Sequence, residues 1–308
     1  MQVTRLFAGI TRHRLWLAHF GVLLVAMLLL QAPVYAVSSV WKISKGGDEL
    51  YLAGTIHILP PQAYPLPAEF TQAYQQADVV VLEAKLPEPS DQQAALAMMT
   101  ALSYSHGETL QQKLSPKVWQ ALTDYLQTIQ LTPQQFNGFK PGFVAMQIAL
   151  LELRKAGYVG DGVDMYFARQ AIADGKPQQY LESMAFQLDL IAKMGAGTED
   201  QFMLANLKRI DETATLMQQS LAAWRSGDLA ALERILLDDA RADDPASFAL
   251  LFTQRNRDWL PKIQQMFGNA QRELILVGAG HLPGPDGVLA LLQAAGYQVE
   301  YFAATTAE

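Results

Sequence analysis

Two short stretches near opposite ends of the chain read almost as copies: Glu49-Leu50-Tyr51-Leu52-Ala53-Gly54-Thr55-Ile56-His57 and Glu273-Leu274-Ile275-Leu276-Val277-Gly278-Ala279-Gly280-His281. Each is an apolar run of strand length that stops at a glycine and sets a histidine three residues later. The glycine allows a sharp turn or a close backbone approach, so the imidazole is held just beyond the strand's C-terminal end. In open α/β sheets that edge is where ligands bind. A helix and a second strand follow each histidine: about Ala68 to Ala77 and then Val79-Val80-Val81-Leu82 in the first copy, about Pro285 to Ala295 and then Tyr297 to Phe302 in the second. Both ends therefore predict a βαβ unit with parallel strands. The implied fold is α/β, with two repeated βαβ halves forming a central, mostly parallel sheet.

The segment between the copies, about 91–267, predicts a large helical insertion. Ser115-Pro116 is a helix start, and Leu114, Val118, Leu122 and Leu126 form an apolar stripe at helical spacing. Further helices fit Gly142 to Ala156, Val163 to Ala173, Met184 to Met194, Glu199 to Arg225, Asp228 to Ala240 and Pro245 to Phe267. Gln178 to Glu182 reads as a short strand whose Leu-Glu ending matches that of the Val79 strand. Val40 to Ile43 and Leu50 to Ala53, joined through Lys45-Gly46-Gly47-Asp48, read as a hairpin feeding the first copy.

Residues 1–36 have the layout of an export signal: basic Arg5, Arg12 and Arg14, the apolar Leu15 to Leu30, and Val34-Tyr35-Ala36 before a cleavage point. Cleavage after Ala36 and retention as an inner-membrane anchor are both open to such a segment, and each implies a periplasmic or secreted body. Residues 37–308 then form one domain carrying the insertion. The chain has no Cys, which excludes disulfides and thiolate metal ligands. Its formal charge of −7 becomes more negative once the signal arginines are gone, and that argues against a nucleic-acid partner. Membrane contact is expected only through the N-terminal segment.

Imidazole is the side chain best suited to bind a metal or move protons near neutral pH, so two histidines at matching places mark a site. Glu83, directly after a wholly apolar strand, falls at the same sheet edge. His57, His281 and Glu83 together make a set able to bind a divalent metal with open positions, or to move protons without one. Glu182 repeats the placement of Glu83 as a substrate-facing or supporting acid. Asp164, two residues after Gly162, reads either as a site acid or as a helix cap. Arg255 and Asn256 flank the packed seam marked by Phe252, Trp259 and Ile263, where they could hold a carboxylate or steady an oxyanion. The sequence has no Gly-x-Ser-x-Gly elbow, Walker loop, dinucleotide fingerprint or His-Glu-x-x-His helix.

Tyr51 to His57, Leu82-Glu83, Arg255-Asn256 with Trp259, and Val277 to His281 together make the chain resemble the TraB/GumN family over about Val40 to Phe302. That family is related to the TIKI metalloproteases and more remotely to erythromycin esterase and ChaN-like proteins. The resemblance implies an α/β fold that brings both histidines to one site, and a divalent-metal-dependent peptidase (Mn, Co or Zn) using His57, Glu83 and His281. It carries Arg255, Asn256, Glu182 and Asp164 into the same site. Gln254 departs from the family, which often has an acid before the Arg-Asn pair. The resulting expectation is a periplasmic hydrolase acting on a peptide or small molecule. A metal-independent histidine hydrolase and a binding protein without turnover are the alternatives.

Overall fold

A computed structural model describes residues 38–85, 87 and 90–305. The export segment read from residues 1–36 lies outside the described residues. Six strands form the main sheet: β1 (Val40–Lys45), β2 (Asp48–Thr55), β4 (Val79–Leu82), β6 (Gln178–Tyr180), β7 (Glu273–Gly278) and β8 (Gln298–Tyr301), in the order β6-β4-β7-β2-β1-β8. Two further short strands, β3 (Ile58–Leu59) and β5 (Gly160–Asp161), pair with each other. The fold is α/β, as expected. β6, β4, β7 and β2 run parallel, while β1 is antiparallel to both β2 and β8.

The two copies of the repeat interlock. β7 inserts between β2 and β4, so each βαβ unit has parallel strands that are not neighbours. Pairing joins Gly54 to Val277 and Thr55 to Gly278, one residue out of step with the sequence repeat. A Cβ on Gly54 would sit 2.8 Å from Leu282 Cδ1 and 3.4 Å from the Ala279 Cα, so the second copy packs directly over this glycine.

Alternation along the strands splits the core in two. Tyr51, Ala53, Val80, Leu82, Leu274 and Leu276 face one layer, which includes Phe70, Phe167 and Trp224 from three helices. Leu50, Leu52, Val79, Val81, Ile275 and Val277 face the other, where Trp259, Ile263, Val288 and Leu292 pack. Covering both faces explains why β4 and the Leu274 to Val277 part of β7 are apolar without a break.

Helix boundaries differ from the sequence reading where the chain turns tightly. The run Glu199 to Arg225 is broken at Arg209 and a 3-10 turn, Ile210–Glu212. The final helix begins only at Val288, because Gly287 packs its Cα against the Leu282 and Pro283 carbonyls. The run from Pro245 to Gln264 contains a π-helical turn, Ala249–Thr253, in which the Gln254 N–H donates to Ala249 O. Such turns re-aim the residues that follow them, here Arg255 and Asn256.

Candidate active site

Four adjacent parallel strands deliver their next residues to one edge. Glu83 follows β4, His281 lies three residues past the end of β7, and Glu182 lies two past β6. The ladder continues beyond the strands, with Leu181 N–H donating to Leu82 O and Glu182 N–H to Glu83 O, so the two glutamates stand side by side. His57 comes off β2. The His57 Nε2, the Glu83 Oε1 and the His281 Cδ2 all lie within 3.6 Å of one point, the position a Cβ would take on Gly278. The distant histidines and Glu83 therefore do meet in space.

The equivalent histidines have opposite environments. After Thr55 and Ile56 the chain bends at His57 and runs on into β3, and the His57 side chain is 64% exposed. After Gly278 the small Ala279 and Gly280 allow a 3-10 turn that tucks His281 inside, at 5% exposure. Its ring lies between Phe252 and Trp259, with centroids at 5.1 and 4.4 Å. A Cβ on Gly280 would meet Phe252 at 2.9 Å, so that enclosure depends on the glycine.

Arg255 ties this interior together. Its Nη2 donates to Glu83 Oε2 at 2.5 Å and to Glu182 Oε2 at 2.9 Å, and its Nε donates to Glu182 Oε1 at 2.9 Å. Nη1 reaches His281 Nε2 at 3.0 Å and Leu251 O at 3.1 Å. Every N–H of the guanidinium thus has a protein acceptor. Trp259 Nε1 donates to Glu182 Oε1 at 2.8 Å, and Arg255 lies over the Trp259 ring. Asn256 spends its amide N–H groups on Asp286 O and His281 O, which leaves its Oδ1 to accept from His281 Nδ1 at 2.6 Å. That assigns the Nδ1–H tautomer and leaves Nε2 as the acceptor for Arg255. Burial holds His281 neutral, with its pKa pushed down to about 3. Glu83 is ionised: burial opposes its charge, but the Arg255 guanidinium, the His57 ring and the Gly278 N–H hold its pKa below the usual carboxylate range.

His57 belongs to the open side. Its Nδ1 lies 3.2 Å from Asp164 Oδ1. Asp164 is not the cap of its helix; Gly162 holds that position without a side-chain bond. A Cβ on Gly162 would fall 2.3 to 2.5 Å from the His57 backbone, so only glycine lets this helix approach and present Asp164. The Asp164 carboxylate, helped by Glu83, raises the His57 pKa to about 9. Gln187, missed in the sequence, donates to Glu83 Oε2 and Glu182 Oε2 at 3.1 and 3.3 Å. Only its place one turn into a helix that begins beside Glu182 could have flagged it.

The three residues expected to hold a metal meet, but not with their donor atoms arranged around one ion position. Among the described residues no group of three or more His, Cys, Asp or Glu is arranged to hold a metal ion. The reason is electrostatic and steric. The guanidinium of Arg255 stands against His281 Nε2 and Glu83 Oε2, where an ion held by both residues would lie, and Asn256 occupies the other ring nitrogen of His281. As arranged, His57, Glu83 and His281 do not fit a divalent ion. Arg255 and Asn256 likewise have no free donor for substrate; they position His281, Glu83 and Glu182.

The model of the TraB/PrgY/gumN family matches residues 39–301. The chain is 23% identical over 252 residues to the uncharacterized protein YbaP of Escherichia coli (strain K12), covering 80% of this chain and 89% of that protein. Its similarity to the uncharacterized YbaP of Shigella flexneri has the same identity and coverage. No solved structure matches.

Proposed function

The chain belongs to the TraB/PrgY/gumN family, and from that premise we propose that it is a hydrolase of peptide or related acyl bonds. In this reading the His57–Asp164 pair moves the proton and no step passes through a metal. One observation carries it: His57 Nε2 and Glu83 Oε1 converge on the space over Gly278 while Asp164 holds Nδ1. His57 in its neutral form takes a proton from water on Nε2 as the water oxygen bonds to the substrate carbonyl carbon. The imidazolium then returns that proton to the leaving nitrogen or oxygen as the acyl bond breaks. Asp164 fixes the ring and stabilises its cation, the role a carboxylate plays behind a catalytic histidine. Glu83, anionic and held by Arg255, Gln187 and the Gly278 N–H, accepts from the water with Oε1 and orients it.

The test is incubation of the purified full chain with a defined peptide mixture and a set of acyl esters, read by mass spectrometry with and without chelator. Cleavage that survives chelation and is lost in His57→Ala supports the reading. Cleavage abolished by chelation and restored by Mn²⁺, Co²⁺ or Zn²⁺ overturns it in favour of a metal mechanism. Intact recovery of every substrate under all conditions turns it toward capture without turnover.

A further inference from the structure

A cavity of about 720 Å³ lies within the helical layer, away from the space over Gly278. That volume falls inside the roughly 300–1,000 Å³ of small-molecule sites. Its walls are apolar, formed by Ile148, Met203, Leu207, Leu216, Met217 and Ile235, several of them only partly buried. Its mouth is acidic. Asp239, Asp243 and Asp244 line the cavity and reach solvent. The two nearby arginines are already neutralised: Arg209, also a lining residue, pairs with Asp239 and Glu212, and Arg241, lying over the lining Phe248, pairs with Glu233 and Asp238. Asp244 caps the Ser247 N–H. Asp243 has no hydrogen-bond or ion-pair partner among the described residues. One wall is the π-helical turn, through Leu251 and Phe252. The same Leu251 carbonyl accepts from Arg255, and the same Phe252 ring packs on His281.

We propose that this cavity binds an amphiphile with an apolar body and a cationic head, an alkylamine being its simplest form. The body covers the exposed parts of the apolar walls, and the head meets the carboxylates at the mouth, Asp243 first. A carboxylate head of the same length meets like charge, which separates this ligand class from fatty acids. Binding here needs no turnover at His57, so it stands or fails separately from the hydrolase reading.

The experiment is displacement of the fluorescent probe N-phenyl-1-naphthylamine from the full chain by octylamine, decylamine, decanol and decanoate below their micelle concentrations. Decylamine displaces the probe at a concentration about five-fold or more below that of decanoate, and this margin shrinks in 0.5 M salt. Octylamine needs on the order of ten-fold more than decylamine, at about three- to four-fold per methylene. Asp243→Asn, an exposed change that leaves the fold intact, weakens decylamine by about two- to five-fold and leaves decanol unchanged. Ala149→Trp and Ala205→Trp, which fill the cavity, abolish probe binding with a retained melting transition. Equal potency of decanoate and decylamine, no effect of Asp243→Asn, or full probe binding in folded Trp variants overturns the proposal.

Discussion

Replacing Arg255 with Met tests the central network most directly. The side chain is 8% exposed and its partners Glu83 and Glu182 are 12% and 5% exposed, so water does not take its place. Removal leaves two carboxylates together, both bonded to the same Gln187 amide. Breaking a buried pair by deleting one partner costs about 3–5 kcal/mol. An independent figure comes from the way out available to Glu83, uptake of a proton. From its ordinary value of 4.5, protonation at pH 7 costs roughly 3 kcal/mol. The two figures agree, and the second fixes the sign of the pH dependence. A carboxylate whose folded pKa has been raised destabilises increasingly as pH climbs above 4.5, so the penalty of Arg255→Met shrinks by roughly 2–3 kcal/mol from pH 7 to pH 5. Urea unfolding of wild type and variant at both pH values measures it. Adding Glu83→Gln and Glu182→Gln to Arg255→Met recovers part of the loss, because the amides carry no charge. A loss below about 1 kcal/mol at pH 7, or one that does not change with pH, refutes the network as described.

The unchanged protein loses stability in acid. Glu83, its pKa held below the ordinary 4.5 by Arg255 and the Gly278 N–H, contributes stability that is present above pH 4.5 and lost as pH falls through its lowered value. His281, held neutral, adds a loss that begins as pH drops below 6.5, and urea midpoints between pH 7 and pH 4 follow both. The proton-transfer reading predicts that kcat/KM rises about ten-fold per pH unit from pH 6 and levels near 9, where His57 titrates. Asp164→Asn moves that inflection down toward 6.5, seen equally by NMR titration of the His57 ring. Gly162→Ala places a methyl against the His57 backbone and costs about 1–3 kcal/mol in thermal or urea unfolding, with the His57–Asp164 contact broken. In the same reading Gly278→Ala, whose methyl would lie 3.3 Å from Glu83 Oε1 and 3.4 Å from His57 Nε2, lowers activity far more than stability, because it fills the space proposed for the reacting water.

Local pattern was enough to find the strands and the edge they share. Unbroken apolar runs at Val79 to Leu82 and Leu274 to Val277 required cover on both faces, and a repeated Gly-x-x-His could leave both histidines at a single sheet edge only if those strands were parallel neighbours. Glu83, Glu182, Arg255 and Asn256 were legible for the same reason, since strand ends and helix faces follow from local pattern. Which groups face each other and which face water was settled by packing between distant parts of the chain. Two histidines alike in sequence became one buried and neutral, one exposed and raised toward 9, because the chain bends outward at His57 into β3 where Ala279-Gly280 lets it coil inward. Arg255, read as a substrate contact, fills the place expected for a metal because a π-helical turn aims it at three side chains from three different strand ends. Such convergence depends on long-range packing, and local sequence carries no record of the distance between groups that meet only after the sheet has formed.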